Sequence, residues 1–101
     1  MLTSKERAEL RAEANTLETT LMVGKGGVTE QVIEEAKTQL AARELVKGRV
    51  LETALLSARE VSDALCEALG ADGIQTVGSK FVIYRQSDKK AQEAARAARL
   101  L

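Results

Sequence analysis

The chain lacks proline, histidine and tryptophan, and has one cysteine, one phenylalanine and one tyrosine among 101 residues. A lone cysteine excludes an intramolecular disulfide framework. Without histidine there is no zinc finger of the Cys/His kind and no His-based catalytic triad. No apolar run approaches the roughly 20 residues that span a bilayer. No signal peptide opens the chain, so a cytoplasmic location is expected. No Pro/Ser-rich linker, low-complexity tract or internal repeat divides the chain, which points to one domain. Neither sign of charge is in excess: 15 basic residues balance 15 acidic ones. Taken whole, that balance argues against a protein that coats nucleic acid indiscriminately.

With 45% apolar and 30% charged residues, the composition is that of a globular protein with one modest core. Thr3 and Glu6 form a capping-box pattern, and Leu10, Ala14 and Leu17 follow at helical spacing, predicting a helix over 4–15. Residues 19–23 (TTLMV) read as a short strand. Thr29 is an N-cap for a second helix over 30–42, with Val32, Ile33, Ala36 and Leu40 as its apolar stripe. Residues 44–51 alternate: Val46, Gly48 and Val50 share one face, while Leu45, Lys47 and Arg49 share the other. A third helix is predicted over 55–69 on the stripe Val61, Ala64, Leu65, Ala68 and Leu69. Residues 73–77 and 80–85 read as strands joined by the hairpin signal Gly78-Ser79.

The predicted order is α-β-α-β-α-β-β: a two-layer α/β domain with a mixed four-stranded sheet. Two strand–helix–strand units run parallel and the final hairpin adds an antiparallel edge. The domain is assigned to residues 1–87. Residues 88–101 are left as an Ala/Arg-rich tail or marginal helix.

Gly24-Lys25-Gly26-Gly27 stands between a predicted strand end and a helix start. The first N–H groups of a helix lack intrahelical partners, and the helix dipole places partial positive charge there. Glycines let backbone approach a phosphate, and Lys25 adds a mobile cation. A Gly-x-x-Gly loop is also how some RNA-binding modules clamp a nucleotide backbone. The bland alternative is a tight turn. Neither the P-loop nor the dinucleotide-binding glycine spacing is present.

Lys47 and Arg49 share a strand face and are placed to meet phosphates if helices cover the opposite face. Lys80 and Arg85 bracket the last strand. Phe81 and Tyr84 lie three apart, so one belongs to the core and the other is open to stack a base. Cys66 has no basic neighbour within a helical turn and reads as a small hydrophobe. Glu60, Asp63 and Glu67 lie opposite an apolar stripe and read as a solvated face rather than a metal or acid–base site.

The zero total conceals segregation. Residues 51–75 carry one basic side chain against five acidic, and residues 76–101 carry six against two. Binding through one localised basic face therefore fits the sequence.

The ordered motifs VGKGGVTE (23–30), ELVK (44–47), Val77-Gly78 and VIYR (82–85) resemble the CRM domain (chloroplast RNA splicing and ribosome maturation), in particular its stand-alone bacterial, YhbY-like members. The resemblance covers residues 3–86. It implies a fold similar to the C-terminal domain of bacterial translation initiation factor three. It also implies an RNA-binding protein acting on ribosomal RNA in precursors of the large (50S) subunit; with no nucleophile–base pair or metal cluster visible in the sequence, no enzymatic activity, cofactor or small-molecule substrate is expected. The family's RNA-contacting loop falls on Gly24, Lys25, Gly26 and Gly27; Lys47, Arg49, Lys80 and Arg85 would neutralise further phosphates. A monomer is expected. The alternative is a protein-interaction adaptor with no RNA contact. The chain departs from the family pattern at Asn15, at Leu17-Glu18-Thr19 and at Gly48. A β-branched residue is usual at this last position, so the strand there is expected to be weakened.

Overall fold

The computed structural model describes residues 2–86. In chain order the elements are α1 (Ser4–Ala14), β1 (Leu21–Val23), α2 (Glu30–Arg43), β2 (Leu45–Val50), a 3₁₀ turn (Glu52–Ala54), α3 (Ala58–Leu69), β3 (Asp72–Val77) and β4 (Lys80–Tyr84). The expected tail, residues 88–101, lies outside the described residues.

Local chemistry sets most of the boundaries. At the start of α1 the Glu6 N–H donates to Thr3 Oγ1 (3.1 Å) and the Thr3 N–H donates to Glu6 Oε1 (3.4 Å), so two orphan donors are satisfied reciprocally. Thr29 caps α2 by accepting from the Val32 N–H. A second capping box, Ser57 with Glu60, opens α3. The third helix therefore begins at Ala58 rather than at residue 55, and Leu55 and Leu56 stay outside it. In the 78–79 hairpin, Gly78 has φ +60 and Ser79 does not have positive φ. This is the type II′ pattern that matches strand twist.

The sheet order is β1-β2-β4-β3. β1 and β2 are parallel, joined by α2, and β4 is antiparallel to both of its neighbours. The final hairpin does not simply add an edge. β4 enters the sheet between β2 and β3, and only β3 ends at the rim. The reason is composition. Phe81, Val82 and Ile83 are consecutive and all buried, so β4 needs cover on both faces and a neighbour on both sides. β3 is mostly polar and exposed, as suits an edge.

The main core lies between the sheet and the helices α2 and α3. Leu21, Val23, Val46, Val50, Phe81 and Ile83 meet Ala36, Leu40, Val61 and Leu65 there. This is the expected two-layer packing. α1 adds cover to part of the second face, where Leu10, Ala14 and Leu17 meet Leu45, Ile74, Val82 and Tyr84. Arg7 ties α1 to the edge strand by donating to the Gly73 carbonyl (2.7 Å) beside Asp72.

Gly48 is required by this packing rather than tolerated. A Cβ there would stand 2.6 and 2.7 Å from Cε1 and Cε2 of Phe81. The phenyl ring lies across the glycine and fills the volume that a side chain on β2 would occupy.

Candidate nucleic-acid interface

The Gly24–Gly27 loop leaves the C-terminal end of β1 and turns into α2. Its geometry is a tight turn: the Gly27 N–H donates to the Gly24 carbonyl (2.9 Å), and the Thr29 N–H donates to the Gly27 carbonyl (3.1 Å). Gly27 has φ +67, so the turn itself demands a glycine there. Gly24 has no such demand; a Cβ would meet nothing closer than Leu51 at 3.6 Å. Lys25 and Gly26 are exposed, and their N–H groups have no partner among the described residues. The loop thus leaves donors free at the positive end of a helix dipole, beside a mobile ammonium.

Strand register decides which cations join the loop. Met22 pairs with Arg49, Arg49 with Lys80, and Lys80 with Val77. These four side chains form one row across all four strands, on the face away from α2 and α3 and at the loop's end of the sheet. All four residues are exposed. Arg49 and Lys80 stand directly opposite each other, and neither has an acidic partner among the described residues. Like charges so placed are mildly destabilising to a sheet.

The other two predicted cations are placed differently. Lys47 is half-buried beneath the C-terminal end of α1, where its Nζ donates to the Ala14 carbonyl (3.4 Å). That is the position in which a cation complements a helix dipole. It also lines a cavity of about 180 Å³ with Asn15, Gln75 and Lys80, so it borders the open face. Arg85 lies beyond the far end of β4, with its N–H donating to the Glu44 carbonyl (2.9 Å). The fold does not bring it to the loop.

Phe81 is the core aromatic, with no exposed surface, and Tyr84 is half-buried against the α1 cluster. Neither offers an open ring beside the loop. Burial pushes the Cys66 thiol above its ordinary pKa, against a smaller opposing effect of its hydrogen bond with Ser62. It packs at the margin of the main core as a small hydrophobe. Asp63 pairs with Arg59 on the exposed face of α3 (3.9 Å). Among the described residues no three His, Cys, Asp or Glu side chains group to hold a metal, and no helix is long and apolar enough to cross a membrane.

Sequence reasoning missed Leu55 and Leu56, exposed by 92% and 37%, of which Leu56 reaches the loop at Gly27. The signal was present. Ser57 followed by Glu60 is a capping box, and it leaves both leucines ahead of the helix.

This arrangement defines a class: a small α/β domain that presents a glycine turn at a helix N-terminus, at the same end of the sheet as two exposed cations without an acidic partner among the described residues. The chain belongs to the CRS1 / YhbY (CRM) domain family, whose model matches residues 2–85. It is 36% identical over 92 residues to a Bacillus subtilis protein named "Probable RNA-binding protein YqeI", covering 91% of this chain and 96% of that one. It is 38% identical over 86 residues to "Probable RNA-binding protein MJ0652" of Methanocaldococcus jannaschii, covering 83% and 63% of the two chains. The solution structure of SAV1595 from Staphylococcus aureus superposes with a TM-score of 0.70 at 34% identity, covering 87% of this chain and 92% of that one.

Proposed function

We propose that this protein is a non-enzymatic, monomeric RNA-binding module of the cytoplasm, acting on ribosomal RNA in precursors of the large subunit. The observation that carries RNA binding is the Arg49–Lys80 pair. Two exposed cations face each other across a ladder, with no acidic partner among the described residues, at the same end of the sheet as the glycine loop. A polyanion relieves that repulsion, and the backbone of RNA supplies one. Family membership and the names of the relatives support RNA as the ligand. The ribosomal target rests on the resemblance to YhbY-like proteins.

In this reading the N–H groups of Lys25 and Gly26 hold phosphate oxygens and Lys25 supplies charge. Gly24 and Gly27 shape the turn. Arg49 and Lys80 neutralise neighbouring phosphates, and Lys47 contributes from the border of the same face. Recognition is mainly of backbone shape, since no open aromatic stands there to read bases.

The test is a titration against ribosomal RNA fragments over a salt series, with Lys25→Glu and Gly26→Asp alongside the parent. Binding should weaken as salt rises, and both variants should lose most of it while remaining folded. Folded variants that bind like the parent would overturn the loop's role. Absence of binding even at low salt would favour the adaptor reading.

A further inference from the structure

In that reading Lys25, Arg49 and Lys80 meet phosphates, which leaves an apolar feature beside the loop without a role. Leu55 sits in the left-handed region (φ 55, ψ 25) with 92% of its surface exposed. A bulky side chain is uncommon in that conformation and gains nothing from packing there. Leu56 is also exposed, and its Cδ1 stands 3.3 Å from where a Cβ on Gly27 would be. Leu51 and Thr53 lie against Gly24 in the same way, at 3.6 and 3.9 Å. The segment 51–56 is therefore a shelf built directly against the glycine loop. It continues into an open cavity of about 280 Å³, lined by Val50, Leu51, Leu55, Leu56 and Ala58, with Glu52, Ser57 and Ser79 supplying polar atoms.

We infer that this shelf receives a nucleobase of the RNA strand whose phosphate lies on the Lys25–Gly26 turn. The inference rests on the RNA reading above and adds a base-contacting site to it. Two observations select this occupant. The shelf is continuous with the loop, so one nucleotide can place its phosphate on the N–H groups and its base on the leucines. It also adjoins the exposed Lys25 of that loop, which has no acidic partner among the described residues and favours a polyanionic ligand. Aliphatic side chains serve as platforms and wedges for bases where aromatics are missing. Among the described residues both aromatics are committed elsewhere: Phe81 to the main core and Tyr84 to the α1 cluster. Contact with a flat apolar ring depends little on base identity, so the site would add affinity for unpaired RNA more than sequence preference.

Two ligands test this: a short single-stranded RNA oligomer and its abasic ribose-phosphate counterpart of equal length. Leu55→Gly removes the side chain and suits the left-handed backbone, so it keeps the fold. It should weaken binding of the RNA oligomer roughly three- to tenfold and leave abasic binding and the salt dependence unchanged. Leu55→Phe should tighten binding of the RNA oligomer alone. If both variants bind both ligands like the parent, while Lys25→Glu loses both, the base site is wrong and the phosphate loop stands. Equal losses on the RNA and abasic oligomers would also overturn it. If the parent binds neither ligand at low salt, the RNA reading itself fails, and the leucines are better explained as a protein contact.

Discussion

Gly48→Ala separates what local propensity says of this chain from what its packing says. On propensity alone, alanine in a strand interior should gain about 0.5–1 kcal/mol over glycine. The structure reverses the sign. The new methyl would stand 2.6 and 2.7 Å from two ring carbons of Phe81, distances that real Cβ atoms essentially never show. Phe81 has no exposed surface and belongs to the main core cluster, so its ring has no open space to move into. Overpacking of this kind costs roughly 1–3 kcal/mol, occasionally more. A clash with several ring atoms belongs at the upper end. Subtracting the propensity gain leaves a net loss of about 2 kcal/mol, or a fall in Tm of roughly 8–16 °C for a domain of this size. Thermal and urea unfolding of the parent and Gly48→Ala measure it. Phe81→Leu should be less damaging in the Gly48→Ala background than in the parent, with a coupling of about 1 kcal/mol or more. An alanine variant as stable as the parent would refute the account of why this strand carries a glycine.

Gly27→Ala should lose roughly 1–2 kcal/mol by urea denaturation, because it meets both a positive φ and Leu56 at 3.3 Å; Gly24→Ala, with nothing closer than 3.6 Å, should be near neutral. Equal effects would show that the turn does not discriminate between them. The raised thiol pKa of Cys66 means the folded state holds its proton above the ordinary range of about 8.5, where the unfolded chain has begun to release it. Stability should therefore decline as pH rises through that range, and the decline should be shallower in Cys66→Ala; parallel curves would remove the thiol from the account. Arg49→Ala should lower the slope of log affinity against log salt by about 1, and Arg85→Ala, at the far end of β4, should leave it unchanged. Equal slopes for the two variants would mean that the strand row is not the binding face.

Much of the fold is written in short-range patterns. Thr3 with Glu6 and Thr29 ahead of a striped segment mark helix starts, because capping involves residues three apart in the chain. The alternation along β2 identifies Val46 and Val50 as core and Arg49 as exposed. What was not legible depends on partners distant in sequence. The place of β4 between β2 and β3 follows from burial on both faces, which a run of three apolar residues suggests but does not settle. Whether Phe81 or Tyr84 enters the main core depends on Gly48, more than 30 positions earlier, leaving room for a ring. At the candidate site, the loop was visible from its glycines. The separation of Arg49 and Lys80 from Lys47 and Arg85 was not, since a register and the position of α1 decide it.

The position of β4 also bears on how the chain reaches its native state. The strand that holds the centre of the sheet is the last of the four to be synthesised. Until residue 84 has emerged, β2 has only the three-residue β1 to pair with, and β3 has no neighbour at all. The main core likewise lacks Phe81 and Ile83 until then. Folding should therefore be nearly all-or-none with respect to chain length. Nascent chains arrested before β4 should remain protease-sensitive, and protection should appear over the few residues that deliver it.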